Sequence, residues 1–137
     1  MTRRYLLDTC IAGDDIARRN GVHDRAREAA RRGAVLGIGT PVLAELMFGA
    51  ENSDKPERAK QRIELALPGW RLWPFDGPAA REHGRLAALL KKIGRPMQQI
   101  DIEIAAIALV LGDCTVVSSD SDLLAVPGLT VENWATP

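Results

Sequence analysis

Residues 5–9, Tyr5-Leu6-Leu7-Asp8-Thr9, give the clearest indication of the fold class in this sequence. Three apolar side chains in a row are typical of a strand that is buried on both faces of a parallel sheet. The run stops at a carboxylate and a hydroxyl, which places Asp8 at the carboxyl end of the strand. Ligands of such sheets bind beyond that end. The stretch therefore predicts a parallel sheet with a polar site at its edge.

The same pattern, a short apolar run followed by a helical stretch, continues along the chain. Further strands are predicted at residues 34–38, 70–75, 114–118 and 129–134. Helices are predicted over residues 14–32, with a break near Asn20-Gly21, from Thr40, from Ser53, from about Gly77 after the cap Asp76, and over about 99–111. Alternating strands and helices predict an α/β fold in three layers, with a mainly parallel central sheet flanked by helices.

Length and composition limit the class of protein. A chain of 137 residues normally forms one domain with its own core, so we expect a single domain over residues 1–137. A hydrophobic content of 46% and a formal net charge of zero exclude intrinsic disorder. No apolar run is long enough for a membrane-spanning helix, and the stretch before Asp8 is too short for a signal peptide. With only two distant cysteines, we expect a cytoplasmic protein.

The zero net charge is a cancellation between different parts of the chain. Residues 1–35 carry eight Arg and five acids, residues 36–95 carry ten bases and seven acids, and residues 96–137 carry six acids and no base. Fourteen of the basic residues are Arg, whose planar guanidinium suits phosphate groups. A net charge of zero therefore does not exclude an anionic partner.

Five acids fall at or near the predicted carboxyl edge of the sheet: Asp8, Glu45, Asp101, Asp120 and Asp122. Each has an ordinary structural alternative, such as a helix cap or a first-turn acid. Two carboxylates about 5 Å apart repel by roughly 3 kcal/mol at an effective dielectric constant near 20, so a cluster must take up protons or bind cations. A site made only of oxygen ligands favours magnesium or manganese over zinc, and such a site supports phosphodiester hydrolysis.

These acids lie in four segments that together resemble the PIN domain, and most closely the VapC-type toxins of bacterial toxin–antitoxin pairs. The segments occur in family order and span essentially the whole chain: Leu6-Leu7-Asp8-Thr9, Thr40-Pro41-Val42-Leu43-Ala44-Glu45-Leu46, Ile100-Asp101-Ile102-Glu103-Ile104, and Val117-Ser118-Ser119-Asp120-Ser121-Asp122-Leu123 with Pro127-Gly128-Leu129 further on. No single segment is specific, but the four together carry the resemblance.

The resemblance implies a magnesium- or manganese-dependent ribonuclease that hydrolyses RNA with metal-activated water. The residues that match the family's metal-holding acids are Asp8, Glu45, Asp101 and Asp120, with Asp122 as an additional or alternative fourth ligand. Ser118 matches a hydroxyl residue that helps to hold the metal or the attacking water. Cys10 stands where these toxins often carry Asn. We expect it to be a small buried residue, the alternative being a thiol close to the site.

The resemblance also implies partners. A small cognate antitoxin would block the acidic pocket, and the chain would form a homodimer. Leu46, Met47 and Phe48, with residues 59–67, are the candidate dimer interface, extra core being an equal alternative. Arginines of residues 18–32 are candidates for RNA phosphates, Arg18, Arg19 and Arg25 first among them. The alternative is an exposed helix face with internal ion pairs, such as Glu28 with Arg31 or Arg32.

Other functions share parts of this pattern. A PIN nuclease of RNA maturation, without an antitoxin, would have the same site residues. A metal-binding phosphatase or phosphoacceptor domain also places an Asp after its first strand. However, the phosphatases use a second Asp two residues later, where this chain has Cys10, and receivers require a Lys after a late strand. A non-catalytic binding module is expected to have lost one or more acids, and all are present here.

Overall fold

The computed structural model describes residues 2–136 and places five parallel strands in one sheet. The strands are β1 (Arg4–Leu7), β2 (Val35–Gly39), β3 (Arg71–Trp73), β4 (Cys114–Val117) and β5 (Thr130–Glu132), in the spatial order β3-β2-β1-β4-β5. The helices are α1 (Thr9–Ala17), α2 (Val22–Arg31), α3 (Thr40–Glu51), α4 (Pro56–Ala66), α5 (Gly77–Lys92) and α6 (Gln99–Leu111). Short 3₁₀ helices span Leu67–Gly69 and Ser121–Ala125. The predicted α/β class with a parallel central sheet is confirmed.

Strand order fixes where a ligand can bind. From β1 the chain adds β2 and then β3 on one side, and later returns to add β4 and β5 on the other side. The connections that leave β1 and β4 therefore diverge, and the crevice between the carboxyl ends of these two strands is the usual ligand site of such sheets. Asp8 and Ser118 are the first residues after these strands. None of the helices in residues 2–136 is long and apolar enough to cross a membrane.

The core lies on both faces of β1 and β4. Leu6, Leu7, Val116 and Val117 are fully buried, as expected for central parallel strands. Helix α6 is apolar around most of its surface, with buried residues from Ile102 to Ala108. Burial on this scale, worth roughly 2 kcal/mol for each fully buried aliphatic side chain, fixes α6 against the sheet. The polar residue of its first turn, Asp101, is therefore held in a fixed place.

A side chain at the start of β1 also holds the far end of α6. Arg4 donates from Nη1 to the carbonyl oxygens of Leu111, at 3.2 Å, and Gly112, at 2.9 Å. A cation at a helix C-terminus is favourable because it meets unpaired carbonyls and the negative end of the helix dipole. Strand β1 and helix α6 are thereby joined near the amino edge of the sheet.

One glycine of the sheet is required by close packing. A Cβ atom on Gly37 of β2 would lie 2.3 Å from the carbonyl oxygen of Arg71 and 2.7 Å from the ring of Trp73. Its neighbour on β3 leaves no room for a side chain, so β2 and β3 can pair only with glycine at this position.

Several element boundaries differ from the sequence-based prediction. Helix α1 begins at Thr9 and not at Asp14, because the Asp8 carboxylate caps it by accepting a hydrogen bond from Ile11 N at 2.9 Å. Gly13 lies inside that helix. The predicted break near Asn20-Gly21 is confirmed, and both residues have a positive φ. Helix α3 begins at Thr40 as predicted, whereas α4 begins at Pro56 and not near Ser53.

Candidate functional site

Asp8 is the most buried carboxylate of the site, with 7% of its surface exposed. Its backbone N–H donates to Val117 O at 3.1 Å, which extends the pairing of β1 with β4 by one residue. Burial raises the pKa of Asp8 above its ordinary range, and the charges of Asp120 and Asp14 act in the same direction. Hydrogen bonds from the Ser118 side chain and from Ile11 N lower it in part. Asp8 is therefore a carboxylate held in a negative, poorly hydrated place.

Ser118 connects the ends of β1 and β4. It is buried, its N–H donates to Glu132 O at 2.9 Å, and its Oγ accepts from Asp120 N at 2.9 Å. Asp120 in turn caps the following 3₁₀ helix by accepting from Asp122 N at 2.9 Å. Asp120 and Asp122 are exposed. These local hydrogen bonds fix the turn that places Asp120 near Asp8 and both carboxylates near Asp101.

Asp101 lies in the first turn of α6 and is half-buried. Burial is the largest cause that raises its pKa to about 6, followed by the charges of four other acids: Asp120, Asp8, Asp122 and Glu45. These are the acids that the sequence assigned to one site, so the structure brings all five close enough to influence one charge. Glu45 is exposed on α3, and its charge is the smallest of these four influences on Asp101.

The donor set fits a hard divalent cation in its chemistry. All five groups are carboxylates, and the strongest influences on Asp101 include no cation that would neutralise them. However, within residues 2–136 no three His, Cys, Asp or Glu side chains surround a common point as they stand. In both Asp8 and Asp120, one carboxylate oxygen already accepts a backbone hydrogen bond that caps a helix. Binding of an ion would therefore require small side-chain rotations that bring the free oxygens together.

Two residues beside Asp8 differ from expectation or were missed. Cys10 is exposed, so the prediction of a small buried residue is wrong: it lies on the outer side of the first turn of α1. Burial and then the charges of Asp8, Asp14, Glu45 and Asp101 raise the pKa of its thiol, which places it at the rim of the acidic group. Asp14 was not assigned from the sequence, although its spacing of four from Cys10 puts both on one helix face.

A buried hydroxyl next to Asp8 has no protein partner. Thr9 Oγ1 is buried without a hydrogen bond from any residue of the described range 2–136. An unpaired buried polar atom is costly and is normally satisfied by ordered water or a bound group. This is a second indication, independent of the carboxylates, that the end of β1 is built to face a ligand.

The three arginines predicted for RNA lie outside this acidic group. Arg19 Nε is 3.5 Å from the Asp14 carboxylate, and Arg25 donates to Asn133 O at 3.3 Å. Arg18 is exposed at the end of α1, where it lines a cleft between α2 and α4. The alternative pairing of Glu28 with Arg31 and Arg32 is present, at 3.6 and 3.0 Å. These internal pairs use part of the arginine-rich surface.

Comparison with known proteins now adds to this geometry. A family model described as the PIN domain matches residues 5–129. The chain belongs to the PIN-domain family. This PIN domain is 33% identical over 132 residues to "Ribonuclease VapC2" of Haemophilus influenzae, covering 96% of this chain and 98% of the relative. It is 34% identical over 98 residues to "tRNA(fMet)-specific endonuclease VapC" of Shigella flexneri, covering 72% and 74% of the two chains.

Solved structures resemble the PIN domain over nearly its whole length. A crystal structure of VapBC2 from Rickettsia felis bound to a promoter DNA fragment matches with a TM-score of 0.88 at 25% identity, covering 96% of this chain and 98% of that one. DNA-bound VapBC from Salmonella typhimurium matches with a TM-score of 0.86 at 28% identity, covering 98% and 100%. The fold expected from the resemblance of the four sequence segments is thus confirmed.

Proposed function

We propose that this chain is a metal-dependent endoribonuclease and the toxin of a toxin–antitoxin pair. The observation that carries the proposal is the meeting of Asp8, Asp101 and Asp120, with Ser118 between two of them, where β1 and β4 end. The relatives that carry ribonuclease names support the reaction, and the similar VapBC complexes support a protein partner. We further propose that residues 1–137 act as one PIN domain in the cytoplasm.

In the proposed site, Asp8 and Asp101 would hold Mg²⁺ or Mn²⁺, with Glu45, Asp120 and Asp122 completing the coordination directly or through water. When bound, the ion supplies a water of lowered pKa and charge stabilisation at the phosphate. The Ser118 hydroxyl orients Asp120 by accepting a hydrogen bond from Asp120 N, and the same hydroxyl lies beside Asp8. Asp8 stays fixed by its bond from Ile11 N. No side chain needs to act as a nucleophile, because water attacks.

The carboxylates have a second task in this proposal. Without an ion they repel the phosphates of RNA, so the free protein holds its substrate poorly at this edge. Neutralising the group of acids therefore couples substrate binding to metal binding. We keep the prediction that RNA phosphates contact Arg18, Arg19 and Arg25. Arg18 is the strongest candidate, because the side chains of Arg19 and Arg25 already make polar contacts within the protein.

The test is cleavage of a mixed RNA pool by the purified protein with Mg²⁺ or Mn²⁺. Asp8→Asn and Asp101→Asn should abolish cleavage, whereas Glu103→Gln, which removes a carboxylate two residues further along α6, should retain it. Equal activity in all four proteins would assign the cleavage to a contaminant and remove the proposal. Loss of activity in Glu103→Gln as well would show that charge on α6 matters and not the site.

The partner is tested separately. Expression of the chain alone should stop growth, and co-expression of the small protein encoded beside its gene should restore growth and co-purify with the toxin. A nuclease of RNA maturation, the alternative function, would cleave RNA in the same assay without stopping growth or binding a neighbouring gene product. The two readouts therefore distinguish the toxin from its alternative.

We also propose a homodimer that uses α3 and α4. Of the predicted interface residues, Leu46 packs against the core, whereas Phe48 is 70% exposed. Leu65 on α4 is 75% exposed. Large apolar side chains this exposed are typical of contact surfaces. Phe48→Glu should convert a dimer to a monomer in light scattering, and a wild-type chain that is monomeric at high concentration would refute the proposal.

A further inference from the structure

Three exposed cations lie at the end of α5 and in the link to α6. We call these residues, Lys91, Lys92 and Arg95, the basic cluster. The two lysines are the last residues of α5, and Arg95 lies three residues before Gln98, which caps α6. Within residues 2–136 no carboxylate lies within 4.0 Å of their side-chain nitrogens. The basic cluster is therefore free to meet an external anion.

The backbone holds the basic cluster in a defined shape. Gly94 N donates to Lys91 O at 3.1 Å and Arg95 N donates to Leu90 O at 2.8 Å, and Gly94 has the positive φ that this helix end requires. On the other side, Asp101 N donates to Gln98 O at 3.1 Å. The segment from Leu90 to Asp101 thus consists of two hydrogen-bonded helix ends with a short link between them.

The short link limits how far the basic cluster can be from the acids. Consecutive Cα atoms are 3.8 Å apart, so three steps from Arg95 to Gln98 span at most about 11 Å. One helical turn then separates Gln98 from Asp101 by about 5 Å. The Cα atoms of Arg95 and Asp101 are therefore no more than about 16 Å apart, and both side chains extend from there. The neighbouring phosphates of a strand bound at the acids fall within this range.

The basic cluster does not neutralise the acids by direct pairing. Within residues 2–136 no ion pair joins Lys91, Lys92 or Arg95 to a carboxylate. Residues 96–137 contain no base, so Lys91, Lys92 and Arg95 are the last cations in the chain before the acid-only segment begins. Positive charge placed beside a negative site, but not paired with it, suits a polyanion that spans both.

We propose that Lys91, Lys92 and Arg95 bind the phosphates of RNA that flank the cleaved bond. This inference rests on the proposed ribonuclease function. The three are positioning residues: they hold the strand in register with the acids and do not touch the reacting phosphate. A duplex or single strand carries one charge per nucleotide, so such contacts are independent of base sequence and depend strongly on salt.

The test compares two triple variants that lose the same charge. The first is Lys91→Gln/Lys92→Gln/Arg95→Gln. The matched control is Arg3→Gln/Arg71→Gln/Arg85→Gln: Arg3 and Arg71 lie at the amino ends of β1 and β3, and Arg85 pairs with Glu82 on α5. The basic-cluster variant should raise KM for RNA about tenfold with kcat within about twofold, and the control should leave both unchanged.

Binding gives a second readout that does not depend on cleavage. The affinity for a short labelled single-stranded RNA is measured by fluorescence anisotropy with Ca²⁺ in place of Mg²⁺, so that a divalent ion offsets the charge of the acids, and a gel checks that the RNA stays intact. Three lost contacts should reduce the slope of log affinity against log salt by about 2, at about 0.7 per phosphate for single strands. If the wild-type protein cleaves no RNA, the proposed function fails, and this binding measurement still decides the inference.

Three results would overturn the inference. The first is an unchanged KM and salt slope in the basic-cluster variant. The second is an equal loss in both triple variants, which would assign the effect to net charge alone. The third is normal RNA binding with loss of the antitoxin from the co-purified complex, which would make the basic cluster a protein-binding surface.

Discussion

Replacing Asp101 by Asn should make the metal-free protein more stable while it removes activity. Asn has nearly the shape of Asp and no charge, so it leaves α6 intact. The wild-type carboxylate carries its charge at a cost, because burial and four neighbouring acids raise its pKa to about 6. The folded protein thus keeps a group that lowers its own stability at neutral pH, which is expected where function and stability conflict.

The magnitude follows from the pKa difference. The carboxyl has a pKa of 3.8 without these influences and about 6 in the folded chain. At roughly 1.4 kcal/mol per pKa unit the full difference is about 3 kcal/mol. Asp101 is only half-buried, so solvent screening reduces this to about 1 kcal/mol. For a domain of this size, a gain of about 1 kcal/mol raises Tm by about 3 °C.

The pH dependence gives the sign. Because the folded pKa is raised, the folded state binds more protons than the unfolded state between the two pKa values. The favourable contribution is complete below about pH 3.8 and is lost as pH rises through about 6. Thermal unfolding in EDTA should therefore show Asp101→Asn and wild type equal near pH 4, with the variant more stable at pH 7.

Adding metal should reverse the order of Tm, so that wild type becomes more stable than Asp101→Asn. A ligand at about a hundred times its Kd stabilises the folded state by about 2.7 kcal/mol, so Mg²⁺ or Mn²⁺ should raise the wild-type Tm above that of the variant. Glu103→Gln is the control, since it removes the same charge from the same helix. A lower Tm for Asp101→Asn at pH 7, or a gain that is identical at pH 4 and pH 7, would refute the reasoning. So would an equal gain in Glu103→Gln.

Further outcomes are expected for Ser118, for two glycines and for the two cysteines. Ser118→Ala should lower kcat about tenfold and the free energy of unfolding by about 1 kcal/mol, since a buried hydroxyl that bonds to two neighbours is lost; steady-state kinetics and urea unfolding measure both. Gly37→Ala should cost at least about 3 kcal/mol in urea unfolding because of its clash across the sheet, whereas Gly49→Ala, with open space and a helical position, should gain up to about 1 kcal/mol. Cys10 should be alkylated more slowly than a free thiol at pH 8 and faster once Mg²⁺ is added, because the ion offsets the charges that raise the thiol pKa; unchanged rates would place the ion elsewhere. Cys114, whose pKa burial raises to about 11, should react only on unfolding, as mass spectrometry can show.

Much of the fold was predictable because the deciding signals are local. A buried parallel strand is an apolar run in the sequence. The run before Asp8 is the central strand β1, and the run ending at Val117 is its neighbour β4. The boundaries of α1 were not predictable in the same way. Glycine has a low helix propensity, so the sequence predicts a helix only after Gly13, from Asp14. In the structure the Asp8 cap starts the helix five residues before Asp14, and Gly13 lies within it.

The gathering of the five acids could be predicted from the sequence, but their surroundings could not. The acids could be chosen because strand order brings the carboxyl ends of β1 and β4 together, and that rule does not depend on side-chain geometry. The exposure of Cys10 and the proximity of Asp14 to Asp8 depend on the rotation of α1 about its axis, which is set by packing of Ile11 and Ala12 against the core. Sequence periodicity does not fix that rotation for a short helix.

The bond from Arg4 to the end of α6 has a consequence for the choice of ion. Arg4 is the first residue of β1, and Asp8 directly follows its last residue. Asp101 lies in the first turn of α6, and the two carbonyls that accept hydrogen bonds from Arg4 lie at the C-terminal end of that helix. Strand β1 and helix α6 are therefore held together at the ends opposite Asp8 and Asp101. The distance between these two acids depends on how the two rigid elements are joined there. Mg²⁺ requires near-ideal octahedral geometry and short bonds, so in the proposed metal site a small change in this separation would discriminate between ions. Replacing Arg4, which is remote from the acids, should therefore alter the metal preference of that proposed site while the residues that would hold the ion stay the same.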